Sequence, residues 1–110
     1  LNRTVIIMQN QNLFEIIAET NRRHIIDLLR TKPRSVGELV ERSQLSQPGV
    51  SKHLRILREA GLVTASKESQ KHIYHLHAEP LKEIDNWLEP YRQHWSDRLD
   101  ALEHFLDEED

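Results

Sequence analysis

This chain of 110 residues has no cysteine, three glycines, four prolines and only two each of Trp, Tyr and Phe. The missing cysteine excludes disulfides, thiolate metal sites and thiol redox sensing. Gly37, Gly49 and Gly61 stand too far apart to form a phosphate-cradling loop. No nucleophile stands beside a base in a recognisable catalytic setting, so no enzyme is expected. No apolar run approaches the ~20 residues of a membrane-spanning helix. Val5-Ile6-Ile7-Met8 is too short for the apolar core of a secretory signal. Together these absences predict one cytoplasmic domain over 1–110, without a membrane partner. A chain of this size can bury roughly two-thirds of the surface it exposes when unfolded.

What is present is unevenly distributed. The net charge of −3 hides a polarised chain. From Arg42 to Lys71 six bases stand against two acids, whereas from Glu79 to Asp110 three bases stand against eleven acids. A basic segment of this kind suits phosphates, and the acidic tail is suited to staying away from them. The terminal run DEED also reads as a simple solvated end.

The centre of the basic segment, SQPGVSKHLRILREAGLV from Ser46 to Val63, has the marks of a DNA-recognition helix. Ser46 can cap the first turn through its hydroxyl, and Pro48 falls where a missing N–H costs little. Val50, Leu54 and Leu57 form an apolar stripe at helical spacing, and Gly61 stands at the expected C-terminal stop. Outside that stripe lie the donors Gln47, Ser51, Lys52, Arg55 and Arg58, with no acid before Glu59. An ordinary surface helix usually mixes both signs on its outer side.

The flanking segments extend this pattern. Ser35 followed by Glu38 matches a capping box, with Val36, Leu39 and Val40 as the apolar side of a preceding helix. A short QLS linker joins the two helices, as in a helix-turn-helix. Leu62–Ser66 and His72–Leu76 then read as two strands around a polar KESQK turn, with Lys67 and Lys71 beside it. The resulting fold class is mainly α with a small β-hairpin, a winged helix-turn-helix in the order α-α-α-α-β-β-α. Upstream, Leu13, Phe14, Ile16 and Ile17 form a short first helix. A second, capped by Thr20 or Asn21, buries Ile25, Ile26, Leu28 and Leu29 before Pro33.

Residues 12–77 resemble the ArsR/SmtB family of bacterial winged-helix repressors. The resemblance lies in NRRHIIDLLR, in SVGELVERSQLSQPGVSKHLRILREAGLV and in the wing. Its most specific positions are Ser46-Gln47, Ser51-Lys52-His53-Leu54, Leu57 and Glu59-Ala60-Gly61-Leu62-Val63. It implies a homodimeric repressor of a palindromic operator on double-stranded DNA. The expected DNA-binding set is Gln47, Ser51, Lys52, His53, Arg55, Arg58, Lys67 and Lys71. Within it His53 is open between a phosphate, a base edge and bracing the helix.

The region 80–108 reads as a dimerisation segment, either kinked or split at Pro90. Leu81, Ile84, Leu88, Tyr91, Trp95, Leu99, Leu102 and Leu106 recur close to a heptad seam. In the family the first and last helices pair between subunits, which implies an interface of Leu13, Phe14, Leu88, Tyr91, Trp95, Leu99 and Leu102. The alternative is that Trp87, Tyr91 and Trp95 cover the monomer's own core.

Histidine and carboxylate offer zinc-compatible chemistry at two places. His72, His75 and His77 cluster on the wing, and His94, Asp97, Asp100 and His104 lie on the last helix. The thiolate motif that metal sensors of the family often carry is replaced here by Val36-Gly37-Glu38-Leu39. The C-terminal pattern of Asp-x-His with a later pair of histidines is also absent. The expectation is therefore no metal site and no cofactor, the alternative being a metal- or ligand-gated repressor using His and Asp ligands.

Overall fold

A computed structural model describes residues 12–108; Val5–Met8 and the end of the DEED run lie outside them. Helix α1 (Leu13–Ala18) leads into α2 (Thr20–Thr31), and a two-residue strand β1 (Arg34–Ser35) precedes α3 (Val36–Ser43). Helix α4 (Gln47–Glu59) follows, then strands β2 (Val63–Glu68) and β3 (Lys71–Leu76). A 3-10 turn at Glu79–Leu81 opens the last helix, α5 (Lys82–Glu108).

The α1–α2 corner is held by side chains. Asn12 caps α1 by accepting from Phe14 N at 2.8 Å. The cap of α2 is Glu19, whose carboxylate accepts from Arg22 N at 2.9 Å. The expectation of Thr20 or Asn21 is thus corrected by one or two positions. Both belong to the helix, and a glutamate does the work more often done by a shorter oxygen-bearing side chain. Arg22 and Arg23 then turn back and donate to the carbonyls of Ile16, Ile17 and Ala18 at 2.7–3.0 Å. Those carbonyls close α1 and lack partners of their own, so the two arginines satisfy them.

Ser35 and Glu38 form the capping box that their spacing predicts, with both reciprocal bonds present. Just before it, Arg34 is buried, donating to Leu28 O at 2.9 Å and to Thr31 Oγ1 at 2.8 Å. Its remaining terminal nitrogen lies 3.8 Å from Glu38. One buried cation therefore ties the end of α2 to the start of α3.

Between α3 and α4, Gln44 adopts a left-handed conformation (φ 62°) and donates its N–H to Val40 O at 3.0 Å. Ser46 caps α4 through Gly49 N at 3.1 Å, and Pro48 sits in the first turn. At the other end Gly61, with φ +79°, donates to Arg58 O, and Leu62 N donates to Leu57 O, both at 2.9 Å. That pair of bonds is a Schellman motif, and its usual apolar contact is supplied by fully buried Leu57 and Leu62.

The sheet has the order β1-β3-β2, antiparallel throughout. Strand β1, absent from the sequence reading, pairs Arg34 with Tyr74 and Ser35 with Ile73. The hairpin is also longer than expected. Lys67 faces His72 and Glu68 faces Lys71, leaving only Ser69-Gln70 at the turn. Ser69 takes a left-handed φ of 56° to close it.

The core comprises Leu13, Ile16, Ile25, Ile26, Leu29, Leu39, Val50, Leu54, Leu57, Leu62 and Val63. Each large apolar side chain fully buried here contributes about 1.5–3 kcal/mol. Leu81 and Ile84 pack on the edge of this cluster. Beyond them α5 leaves it, with no buried residue in 27. At ~1.5 Å per residue this helix is about 40 Å long, which gives the chain its 66 × 41 × 22 Å shape. Its radius of gyration is 19.5 Å, against about 13 Å for a compact domain of some 100 residues. Pro90 lies inside a single continuous α5. Arg92 reaches back across it to the Asp85 carbonyl at 3.1 Å and to the carboxylates of Asp85 and Glu89. These bonds brace the turns on either side of Pro90, although the carbonyl that the proline itself leaves without an N–H donor is that of Asn86.

Candidate nucleic-acid interface

Helix α4 divides cleanly into two sides. Val50, Leu54 and Leu57 are at most 1% exposed, whereas Gln47, Ser51, Lys52, Arg55 and Arg58 are exposed. At ~100° per residue Gln47, Ser51, Arg55 and Arg58 fall within an arc of about 80°, with Lys52 about 60° beyond. Burial of the first side fixes the orientation of the second, so the cations are held outward by the core beneath them.

The wing lies alongside this outward face. Ser51, Arg55 and Arg58 line a groove of about 520 Å³ together with Glu59 and Tyr74 of β3. A second groove, about 350 Å³, brings Gln47 beside Lys71 and His72 of the wing and Ser35, Val36 and Gly37 at the start of α3. Lys67 and Lys71 are exposed on either side of the turn. Five of the eight residues expected from the sequence, Gln47, Ser51, Arg55, Arg58 and Lys71, therefore line these two grooves, and Lys52 and Lys67 are exposed.

Among the described residues, Lys52, Arg55, Arg58, Lys67 and Lys71 enter no ion pair. Arg22, Arg23, Arg34 and Arg92, by contrast, spend their donors on protein oxygens. Cations left unpaired on a concave surface are available to an external anion, and guanidinium suits a phosphate or a guanine edge.

His53 departs from the expected set. It is the single polar residue of α4 that is not exposed, with 14% of its side chain accessible. Its Nε2 lies 3.9 Å from Glu19 Oε2, and its Nδ1 is buried without a hydrogen-bond partner among the described residues. The ring thus faces the α1–α2 corner rather than the outward side of α4. The signal was available in the spacing, since His53 stands three residues after Val50 and four before Leu57. Tyr74 is the reverse case: it was read only as part of a strand, and it lines the cationic groove.

The residues expected between subunits differ in their exposure. Leu13 is 8% exposed and belongs to the chain's own core. Phe14 is half-buried and meets Trp87 of α5 edge-on, with ring centroids 5.6 Å apart. Leu88 is half-buried, whereas Tyr91, Trp95, Leu99 and Leu102 are exposed, joined by Trp87, Phe105 and Leu106.

The histidines do not gather into a ligand set. Among the described residues no three His, Asp or Glu side chains converge as metal ligands would. His75 shares a hydrogen bond with Ser66 Oγ at 3.0 Å, His104 pairs with Glu108 at 2.9 Å, and Asp97 accepts from Gln93 at 3.3 Å.

A helix-turn-helix with an outward cationic helix, followed by a β-hairpin, defines a winged helix-turn-helix protein. The family model described as "Bacterial regulatory protein, arsR family" matches residues 19–65. The chain is 32% identical over 77 residues to the transcriptional repressor SdpR of Bacillus subtilis, covering 70% of this chain and 86% of that protein. It is 34% identical over 77 residues to an arsenical resistance operon repressor of Staphylococcus xylosus, covering 70% and 74% respectively. The structure of reduced HlyU from Vibrio cholerae superposes with a TM-score of 0.60 at 37% identity, over 72% of this chain and 83% of that one. This chain belongs to the arsR family of bacterial regulatory proteins, as a transcriptional regulator and not an enzyme.

Proposed function

We propose that this protein is a cytoplasmic, homodimeric repressor that binds a palindromic operator without requiring a metal cofactor. The observation that carries the reading is the outward face of α4, where uncommitted donors stand on a helix fixed from behind by Val50, Leu54 and Leu57. Gln47 and Ser51 are assigned to major-groove base edges, and Lys52, Arg55 and Arg58 to phosphate or guanine. Lys67 and Lys71 track the adjacent backbone or minor groove.

The dimer is supported by α5. A helix of 27 residues exposing Trp87, Tyr91, Trp95, Leu99, Leu102, Phe105 and Leu106 on a small domain has the apolar surface of an interface. Two copies related by a twofold axis would set their recognition helices about one DNA turn apart, roughly 34 Å, and so require a palindromic site.

Selection of bound fragments from random DNA tests this reading, and a palindromic consensus is the expected result. Repeating the titration with Zn²⁺, Ni²⁺, Co²⁺ or chelator should leave affinity within tenfold, about 1.4 kcal/mol. A larger change would make the protein metal-gated, with His94, Asp97 and His104 as first ligand candidates.

A further inference from the structure

His53 lies at the end of a run of contacts that begins on the last helix. Its neighbour Glu19 caps α2 at the corner where α1 ends, using the same oxygen that stands 3.9 Å from the imidazole. Helix α1 carries Phe14, which meets Trp87 of α5. Contacts thus pass from α5 through α1 and the Glu19 corner to the centre of α4. A buried imidazole nitrogen without a hydrogen-bond partner, as His53 Nδ1 is among the described residues, is costly. Such a cost at a helix that must be accurately seated points to a function in the seating.

We propose that His53 is a positioning residue that seats the recognition helix against the α1–α2 corner through Glu19, and that protonating its imidazole loosens the seat and weakens DNA binding. The inference rests on the DNA-binding reading above. Three charged groups face the ring: Glu19 from the corner, Arg22 from α2 and Lys52 from α4 itself. Burial is the largest influence and disfavours the imidazolium; Glu19 favours it, and Arg22 and Lys52 oppose it. The net result is a pKa below the ordinary histidine value of 6.5. The unfolded chain therefore takes up this proton more readily than the folded one. The stability tied to neutral His53 is complete above about pH 6.5 and is lost as pH falls through the lowered value.

The test uses the full chain and a duplex that it enriches from random DNA, read by fluorescence anisotropy from pH 8 to pH 5.5. His53→Gln should weaken binding at pH 8 by on the order of fivefold, a typical size for a coupling residue. Its salt slope and preferred sequence should be those of the wild type. It should also lack part of the acid loss that the wild type shows. Every other histidine is common to both proteins, so the difference between them isolates His53.

Glu19→Gln should move the midpoint of the acid loss, and the NMR titration of the His53 ring, to lower pH. A salt slope flattened by about 0.9 in His53→Gln would instead make His53 a phosphate contact. A changed sequence preference would make it a base contact, and an unchanged affinity and acid response would leave it no role; each overturns the proposal. If His53→Gln does not fold, Glu19→Gln carries the test. Arg55→Ala serves as the control: wild-type binding by that variant refutes the DNA-binding reading. The ring titration then still tests the Glu19 contact, and a midpoint unmoved by Glu19→Gln overturns that contact.

Discussion

Helices α4 and α5 carry the same kind of apolar stripe and meet opposite fates. In α4, Val50, Leu54 and Leu57 are at most 1% exposed; in α5, Leu99, Leu102 and Leu106 are 54–65% exposed. Spacing and residue type alone do not separate them. The difference lies in helix length: α4 has 13 residues and α5 has 27, far more than the core can cover. Tight turns around α3 and α4 fold their stripes onto α2, whereas the last segment packs on the core at Leu81 of the 3-10 turn and Ile84 of α5 before the helix runs past it. Hydrophobic periodicity therefore specifies a face that must be covered, and the chain's own geometry decides whether the cover comes from within.

Breaking each stripe should give different kinds of loss. The largest is expected at Leu57→Ala, which removes a fully buried side chain at the centre of the core. It should cost ~2–5 kcal/mol in denaturant unfolding, as core leucine truncations do. Trp95→Asp with Leu99→Asp, on the exposed stripe, should leave the fold intact and yield a monomer that binds DNA poorly. Wild-type melting temperature should rise with protein concentration, as linkage to association requires, and that dependence should vanish in the double variant.

The outward side of α4 sharpens the comparison next. Arg55→Ala should weaken operator binding by about 1–3 kcal/mol if the contact is bidentate to a base, while leaving thermal stability nearly unchanged. Unchanged gel-shift titrations for both Arg55→Ala and Gln47→Ala would remove α4 from the DNA interface. A smaller effect is expected at the helix stop. Gly61→Ala places a Cβ at φ +79°, where it meets no neighbour but an unfavourable backbone conformation. The cost should be about 1 kcal/mol, measured by thermal unfolding. Replacing both Lys67 and Lys71 with Ala should act least on the preferred sequence. It should flatten log affinity against log salt by about 1.8, two phosphate contacts at about 0.9 each.

Much of this architecture was legible in the residues because strong local signals agree. The Ser35–Glu38 capping box, the Ser46 cap, Pro48 and Gly61 each have a single well-defined backbone role, and all four fall where the structure uses them. What escaped was non-local or atypical. Strand β1 has two residues, too few for any periodicity, and exists only because β3 comes to lie beside it. Glu19 caps α2 although serine, threonine, asparagine and aspartate are the usual residues there. Leu13 carries the same apolar character as Phe14, and only packing shows that the first turns inward. The half-buried place of His53 is legible in its phase between Val50 and Leu57, although the chemistry of its side chain leaves both outward and bracing roles open.

The central claim is that two copies, joined through α5, present two α4 helices to two halves of one DNA site. The direct measurement is the affinity of the wild-type protein for its selected duplex, compared with the same duplex carrying one scrambled half. Loss of specific binding down to the level of unrelated DNA is the predicted result. Equal affinity for the two duplexes would contradict it, because a single chain would then be reading a single half-site.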